Sequence, residues 1–103
     1  MKLNLNFYLL DLEGKEIETA NAGKVIANQL CASNKGDALK YYDWGRQLYK
    51  GESIEVDRSD LNGIREFVVT TETISNLAKA QILEKIDILK DEKTTGNTSD
   101  TNN

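Results

Sequence analysis

The segment from Asp37 to Glu52, DALKYYDWGRQLYKGE, holds more side chains able to do chemistry than any other stretch of this 103-residue chain. Four of the seven aromatics fall within nine residues, Tyr41, Tyr42, Trp44 and Tyr49, and Lys40, Arg46 and Lys50 are interleaved with them. Tyr, Trp and Arg join a large rigid surface to a polar handle, which is why they dominate interface hot spots. Tyr41, Tyr42, Trp44, Arg46, Tyr49 and Lys50 therefore form the candidate interaction surface. A competing reading packs the aromatics in a small core and leaves the cations in water. Trp44 suits that reading, and Tyr42 and Tyr49 could reach from a core to solvent. Aromatics spread round three sides of one helix cannot all enter one core, so both readings stand. Aromatics among cations also make platforms for stacking bases. Here Asp37, Asp43 and Glu52 offset the cations, so nucleic acid is not the expected partner.

Composition removes much other chemistry. The chain has no His, one Cys and no Pro, with 13 Lys plus Arg against 17 Asp plus Glu, a net charge of -4. Without His there is no imidazole base, no Ser-His or Cys-His nucleophile and no imidazole metal ligand. One cysteine cannot close an internal disulfide or build a thiolate zinc site. Cys31 is expected to be a free thiol and a small buried hydrophobe beside the first helix's apolar stripe. The spacing of carboxylates and lysines suggests no acid–base pair. The expectation is a protein that is not an enzyme, with no catalytic residues, no cofactor and no metal.

The remaining polar clusters read as local structure. Asp57-Arg58-Ser59-Asp60 lacks the alternation, glycine and closing Glu of a calcium loop and reads as helix capping. Asp11-Leu12-Glu13-Gly14-Lys15 reads as a hairpin turn. Asn21-Ala22-Gly23-Lys24-Val25 lacks the first glycine and the final hydroxyl of a phosphate loop.

These residues must be positioned by a small set of elements. Leu3, Leu5, Phe7 and Leu9 alternate with polar residues, the signature of a half-buried strand. Leu10 and Leu12 lie on its other face, which predicts cover on both sides at the strand's end. Gly14 permits a tight turn into a second strand carrying Ile17, so a hairpin is expected over residues 2–18. A helix over 22–33 follows, with Asn21 as cap and Ala22, Val25, Ile26 and Leu30 as stripe. Asp37 caps a helix over 37–50, which Gly51 ends. Residues 53–56 are extended. Asp57 or Ser59 caps a third helix to about Thr70, in which Gly63 suggests a close neighbour. Thr71 or Thr73 caps a fourth to about Lys90, with the stripe Ile74, Leu77, Ala78, Ile82, Ile86 and Leu89. The fold class is α+β: an N-terminal β-hairpin followed by a mainly α-helical four-helix bundle. Residues 1–90 form one domain, and residues 91–103 read as a disordered polar tail, too poor in apolar surface to offset ordering.

Charge is uneven. Residues 1–51 carry seven basic and six acidic groups, whereas residues 52–91 carry five and nine. No window approaches the roughly 18 apolar residues of a bilayer span, and no apolar run follows Lys2 as a signal peptide requires. A cytoplasmic protein with no membrane partner is expected.

Five runs of sequence carry a resemblance. They are Leu10-Asp11-Leu12-Glu13-Gly14-Lys15-Glu16-Ile17-Glu18 leading to Gly23-Lys24-Val25-Ile26-Ala27-Asn28-Gln29-Leu30; then Tyr41-Tyr42-Asp43-Trp44-Gly45-Arg46-Gln47-Leu48-Tyr49-Lys50-Gly51; and then Ile54-Glu55-Val56-Asp57-Arg58-Ser59-Asp60-Leu61 with Ala78-Lys79-Ala80-Gln81-Ile82-Leu83-Glu84. Over residues 5–86 their order resembles short uncharacterised proteins of tailed phages and prophages. The resemblance is one of helix signals, not of a catalytic motif. It implies a non-enzymatic virion, assembly or host-interaction protein made in the host cytoplasm, which could enter a particle. The leading expectation is a structural or assembly protein acting by protein–protein contact, with self-association compatible. One alternative is an anti-defence protein that binds a host immune effector. It could also sequester a nucleotide between neighbouring subunits through Arg46, Lys50 and a Tyr. Another is a cytosolic regulatory module.

Overall fold

The computed structural model describes residues 1–98, with side chains through Asp91. In chain order the elements are β1 (Lys2–Leu3), β2 (Tyr8–Leu10), β3 (Glu16–Asn21), α1 (Ala22–Ala32), α2 (Ala38–Tyr49), β4 (Ile54–Glu55), α3 (Arg58–Thr70) and α4 (Asn76–Thr98). The class is α+β, as the periodicities require, with a hairpin region ahead of four helices.

The burial pattern of the N-terminal segment is as expected, but its pairing is not. Leu3, Leu5 and Leu9 are buried and Phe7 packs against the core. The strand is nevertheless broken after Leu3. Asn4 Oδ1 accepts the N–H of Asn6 at 2.9 Å, and the Leu5 carbonyl accepts that of Phe7 at 2.8 Å. An Asn side chain thus offers the backbone a local turn in place of a ladder. The hairpin expected over residues 2–18 is therefore corrected to β2 and β3, which together run from Tyr8 to Asn21. Leu10 lies opposite Glu16 and Tyr8 opposite Asn21, so residues 17–20 bulge past Leu9. Asp11 Oδ1 accepts the N–H groups of Glu13 and Lys15, and Gly14 takes the positive φ the turn needs. The first two strand residues turn instead to β4, with Lys2 opposite Glu55 and Leu3 opposite Ile54.

The helix starts follow their caps. Asn21 accepts from the Lys24 N–H and Asp37 from the Lys40 N–H, each at 3.1 Å. Asp57 and Asp60 form a reciprocal capping box on α3. At α4 the expected cap is corrected: Ser75 Oγ accepts from the Ala78 N–H at 3.3 Å. Thr71 and Thr73 are hydrogen-bonded to each other, and the Thr73 hydroxyl also donates to the side-chain amide oxygen (Oε1) of Gln29, pinning this turn to α1. The helical backbone of α4 runs past Lys90, where its apolar stripe ends, to Thr98. The tail expected over 91–103 falls on side chains that, from position 92, lie outside the described residues; so does all of 99–103.

One core joins the two small sheets to all four helices. Leu3, Leu5, Ile26, Leu30, Leu48, Ile54, Leu61, Ile64, Ile82 and Ile86 are each at most 2% exposed, and no polar or charged residue is buried among the described residues. Helices α1 and α2 cross closely because the residues between them are small. A Cβ on Gly23 would stand 2.8 Å from the Leu48 carbonyl oxygen, and one on Gly45 would stand 2.6 Å from Cys31 Sγ. Ala27 completes the α1 side of the seam, one helical turn from Gly23 and one from Cys31.

Two expectations about this packing are corrected. Gly63 has nothing within 4 Å of its Cβ position, so no close neighbour explains it. Cys31 is exposed, because the seam it borders opens to solvent at that end.

Ion pairs and amides tie the helices together at the surface. Lys40 Nζ lies 2.9 Å from Asp60 Oδ1, joining α2 to α3. Arg65 meets both oxygens of Asp87, joining α3 to α4. The Gln81 amide both donates to and accepts from the Leu10 backbone at 2.8 Å, so α4 supplies the strand partner that β2 otherwise lacks on this side.

Candidate functional site

Helix α2 sorts the candidate residues by angle. At about 100° per residue, Leu39, Tyr42, Arg46, Tyr49 and Lys50 share one side of the helix, and Trp44 points away from it. All five are exposed, with Leu39 at 83%, Tyr42 at 57% and Tyr49 at 50%. Trp44 is 6% exposed and belongs to the core. It therefore leaves the interaction surface proposed from sequence. Tyr41 is half-buried: its ring stacks on Trp44 at 5.8 Å and meets Phe67 edge-on at 6.1 Å. The aromatic segment is thus divided between the core and the solvent-facing surface.

Each of the two exposed tyrosines of α2 has a cation over its ring. The Arg46 guanidinium lies 5.5 Å from the centre of Tyr42, and Lys24 Nζ lies 5.2 Å from that of Tyr49. These contacts hold the rings against the helix surface and lower the entropy lost when a partner covers them. Lys40 is spent elsewhere, between Asp60 and the Trp44 ring. Its hydrogen bond to Asp60 holds the Lys40 ammonium above its ordinary value. The same bond, with the Asp57 N–H, holds Asp60 below the carboxylate range. This pair is structural, since it faces α3 and not the exposed side.

Beside the α2 face, α1 contributes Lys24, Asn28 and Cys31. The hollow between the helices, bordered by Cys31, Arg46, Tyr49 and Lys50, measures about 270 Å³. Small-molecule sites run from about 300 to 1,000 Å³ and enclose most of their ligand. This shallow depression suits a protruding side chain better than a whole nucleotide.

A second surface escaped the sequence reading. Leu10 and Leu12, expected to be covered, are 41% and 95% exposed. With Phe7, Tyr8, Leu77 and Ile88 they line a predominantly apolar groove of about 640 Å³ between the hairpin and α4. The only available signal was the pair Leu10 and Leu12 on the strand's second face, and it predicted burial. Leu77, expected in the core stripe, sits on the wall of this groove, while Ala78 and Ile82 take the core positions.

Among the described residues no cluster of three or more Cys, Asp or Glu could hold a metal ion, and no helix is long and apolar enough to cross a membrane. No family model, no curated protein and no solved structure matches the chain.

Proposed function

We propose that this protein works by protein–protein contact through the exposed side of α2, as a non-enzymatic structural or assembly protein of the tailed-phage type. The observation that carries the contact reading is the grouping of Tyr42, Arg46, Tyr49 and Lys50 on one uncovered helix side, the tyrosines preordered by cations. The phage assignment is supported by the order of sequence features from residue 5 to residue 86.

A photo-crosslinking residue at position 42, with a matching control at the exposed Glu72, tests this in producing cells. The expected result is protein crosslinks from position 42, absent at position 72 and reduced about tenfold or more by Arg46→Glu. Virion or assembly proteins, including further copies of this chain, among the crosslinked partners support the leading role. A host immune effector or a host regulator would replace it with the corresponding alternative. Equal, background crosslinking at both positions would end the contact reading.

A further inference from the structure

The exposed α2 side and the apolar groove are not separate patches. Tyr49 borders both the α1–α2 hollow and a second hollow that it shares with Lys24, Glu18 and Tyr8. Tyr8 in turn borders the groove with Leu10, Leu12 and Ile88. A continuous band therefore runs from Tyr42 through Tyr49 and Tyr8 to Leu12. Among the described residues, most of the large hydrophobic side chains that are exposed lie along it or on its rim. A monomer gains nothing from leaving such a band open to water.

The two ends of the band carry opposite charge. At the Tyr42 end Arg46 and Lys50 stand against Asp43, whereas Lys40 is turned to Asp60, and Lys24 and Glu18 both border the middle hollow. The hairpin end, residues 11–16, holds Asp11, Glu13 and Glu16 against Lys15, and Glu84 stands beside Lys85 on the groove's α4 wall. A two-fold axis through the middle of the band would lay the basic end of one copy over the acidic end of the other, twice. Tyr42 and Tyr49 would then meet the groove bordered by Leu10, Leu12 and Ile88. Two-fold pairing is the commonest closed symmetry and covers both copies of a patch at once. Opposed charges set its register and reject the parallel arrangement.

We infer that the occupant of this band is a second copy of the chain, in an isologous dimer. This rests on the contact reading of α2 and names its partner.

Sedimentation equilibrium on the full chain tests it with two charge-reversed variants. Arg46→Glu with Lys50→Glu makes both ends acidic; Glu13→Lys with Glu84→Lys makes both ends basic. All four positions are exposed, so the circular dichroism spectrum should be unchanged. The wild type is expected to be a dimer that weakens as salt shortens the screening length to about 3 Å at 1 M. Each variant alone is expected to be a monomer, and an equal mixture to return a one-to-one heterodimer. A monomeric wild type, a mixture that stays monomeric, or growth beyond the dimer overturns the proposal. A monomeric wild type whose position 42 still crosslinks to a different protein removes the second copy while keeping α2 as a contact surface. Loss of both results removes both readings.

Discussion

Gly23, Gly45 and Gly63 all lie inside helices, and their surroundings give three different outcomes for one added methyl group. At Gly23 the methyl would press on the carbonyl oxygens of Leu48 and Leu5, at 2.8 and 3.2 Å, which are backbone and cannot move alone. Gly23→Ala should destabilise the fold by about 1–3 kcal/mol. At Gly45 the obstacle is Cys31 Sγ, which can rotate into solvent, so Gly45→Ala should cost less than Gly23→Ala. At Gly63 there is no obstacle, and Gly63→Ala should stabilise by about 0.5–1 kcal/mol through helix propensity. Urea denaturation of the three variants checks the order; a loss at Gly63 as large as that at Gly23 would refute it. The ion pairs make a prediction at the same scale. Asp60 is held low first by the hydrogen bond from Lys40, and Asp87 first by that from Arg65. A carboxyl depressed in the fold adds stability above its unfolded value of about 3.9, and this is lost as pH falls through the lower folded value. Lys40 has the opposite sign: its contribution is complete below its ordinary value of about 10.5 and is lost as pH rises above it. Melting temperature should therefore fall at both extremes, and Asp60→Asn should reduce both dependences. Parallel pH profiles for wild type and variant would contradict this.

At the scale of elements, α4 separates residues that its sequence stripe groups together. Ile82 is fully buried, whereas Leu77 stands on the groove wall. Ile82→Ala should cost about 2–5 kcal/mol, and Leu77→Ala clearly less, because little cavity forms at a half-open position. Equal losses would place Leu77 back in the core. The start of α3 depends on a reciprocal pair of carboxylates, Asp57 and Asp60. Asp57→Ala should cost about 0.5–2 kcal/mol in thermal or chemical unfolding; no change would show that the box is idle in solution. Helix α2 answers to several neighbours at once. Trp44 and Leu48 face the core, Gly45 meets α1, and Tyr42, Arg46 and Tyr49 are left facing water.

At the scale of the molecule, the N-terminal residues are structural and not a loose lead-in. Leu3 and Leu5 are as buried as any helical core residue, and β1 closes on β4 more than fifty residues later. Leu5→Ala should therefore cost as much as a helix-core truncation, about 2–5 kcal/mol. It should also raise amide exchange in β4 and the adjoining start of α3, and effects confined to residues 1–7 would argue against one cooperative core.

Several features of this chain are legible before any fold is known. The caps at Asn21, Asp37 and Asp57, the turn at Gly14, the stop at Gly51 and the α+β class all follow from interactions spanning a few residues. Such interactions depend on local spacing alone. The candidate face was legible as a composition, a cluster of aromatics and cations, but not as a surface. Which ring enters the core and which faces water depends on the angle at which α1, α3 and the core meet α2. Burial of Trp44, exposure of Tyr42 and Tyr49, the joining of residues 2–3 to 54–55 and the uncovering of Leu10 and Leu12 are decided by contacts between distant segments. A period-two or period-3.6 pattern marks a side chain as apolar on one face. Only the packed chain determines whether another element arrives to cover that face, and along the band from Tyr42 to Leu12 none of the described residues does.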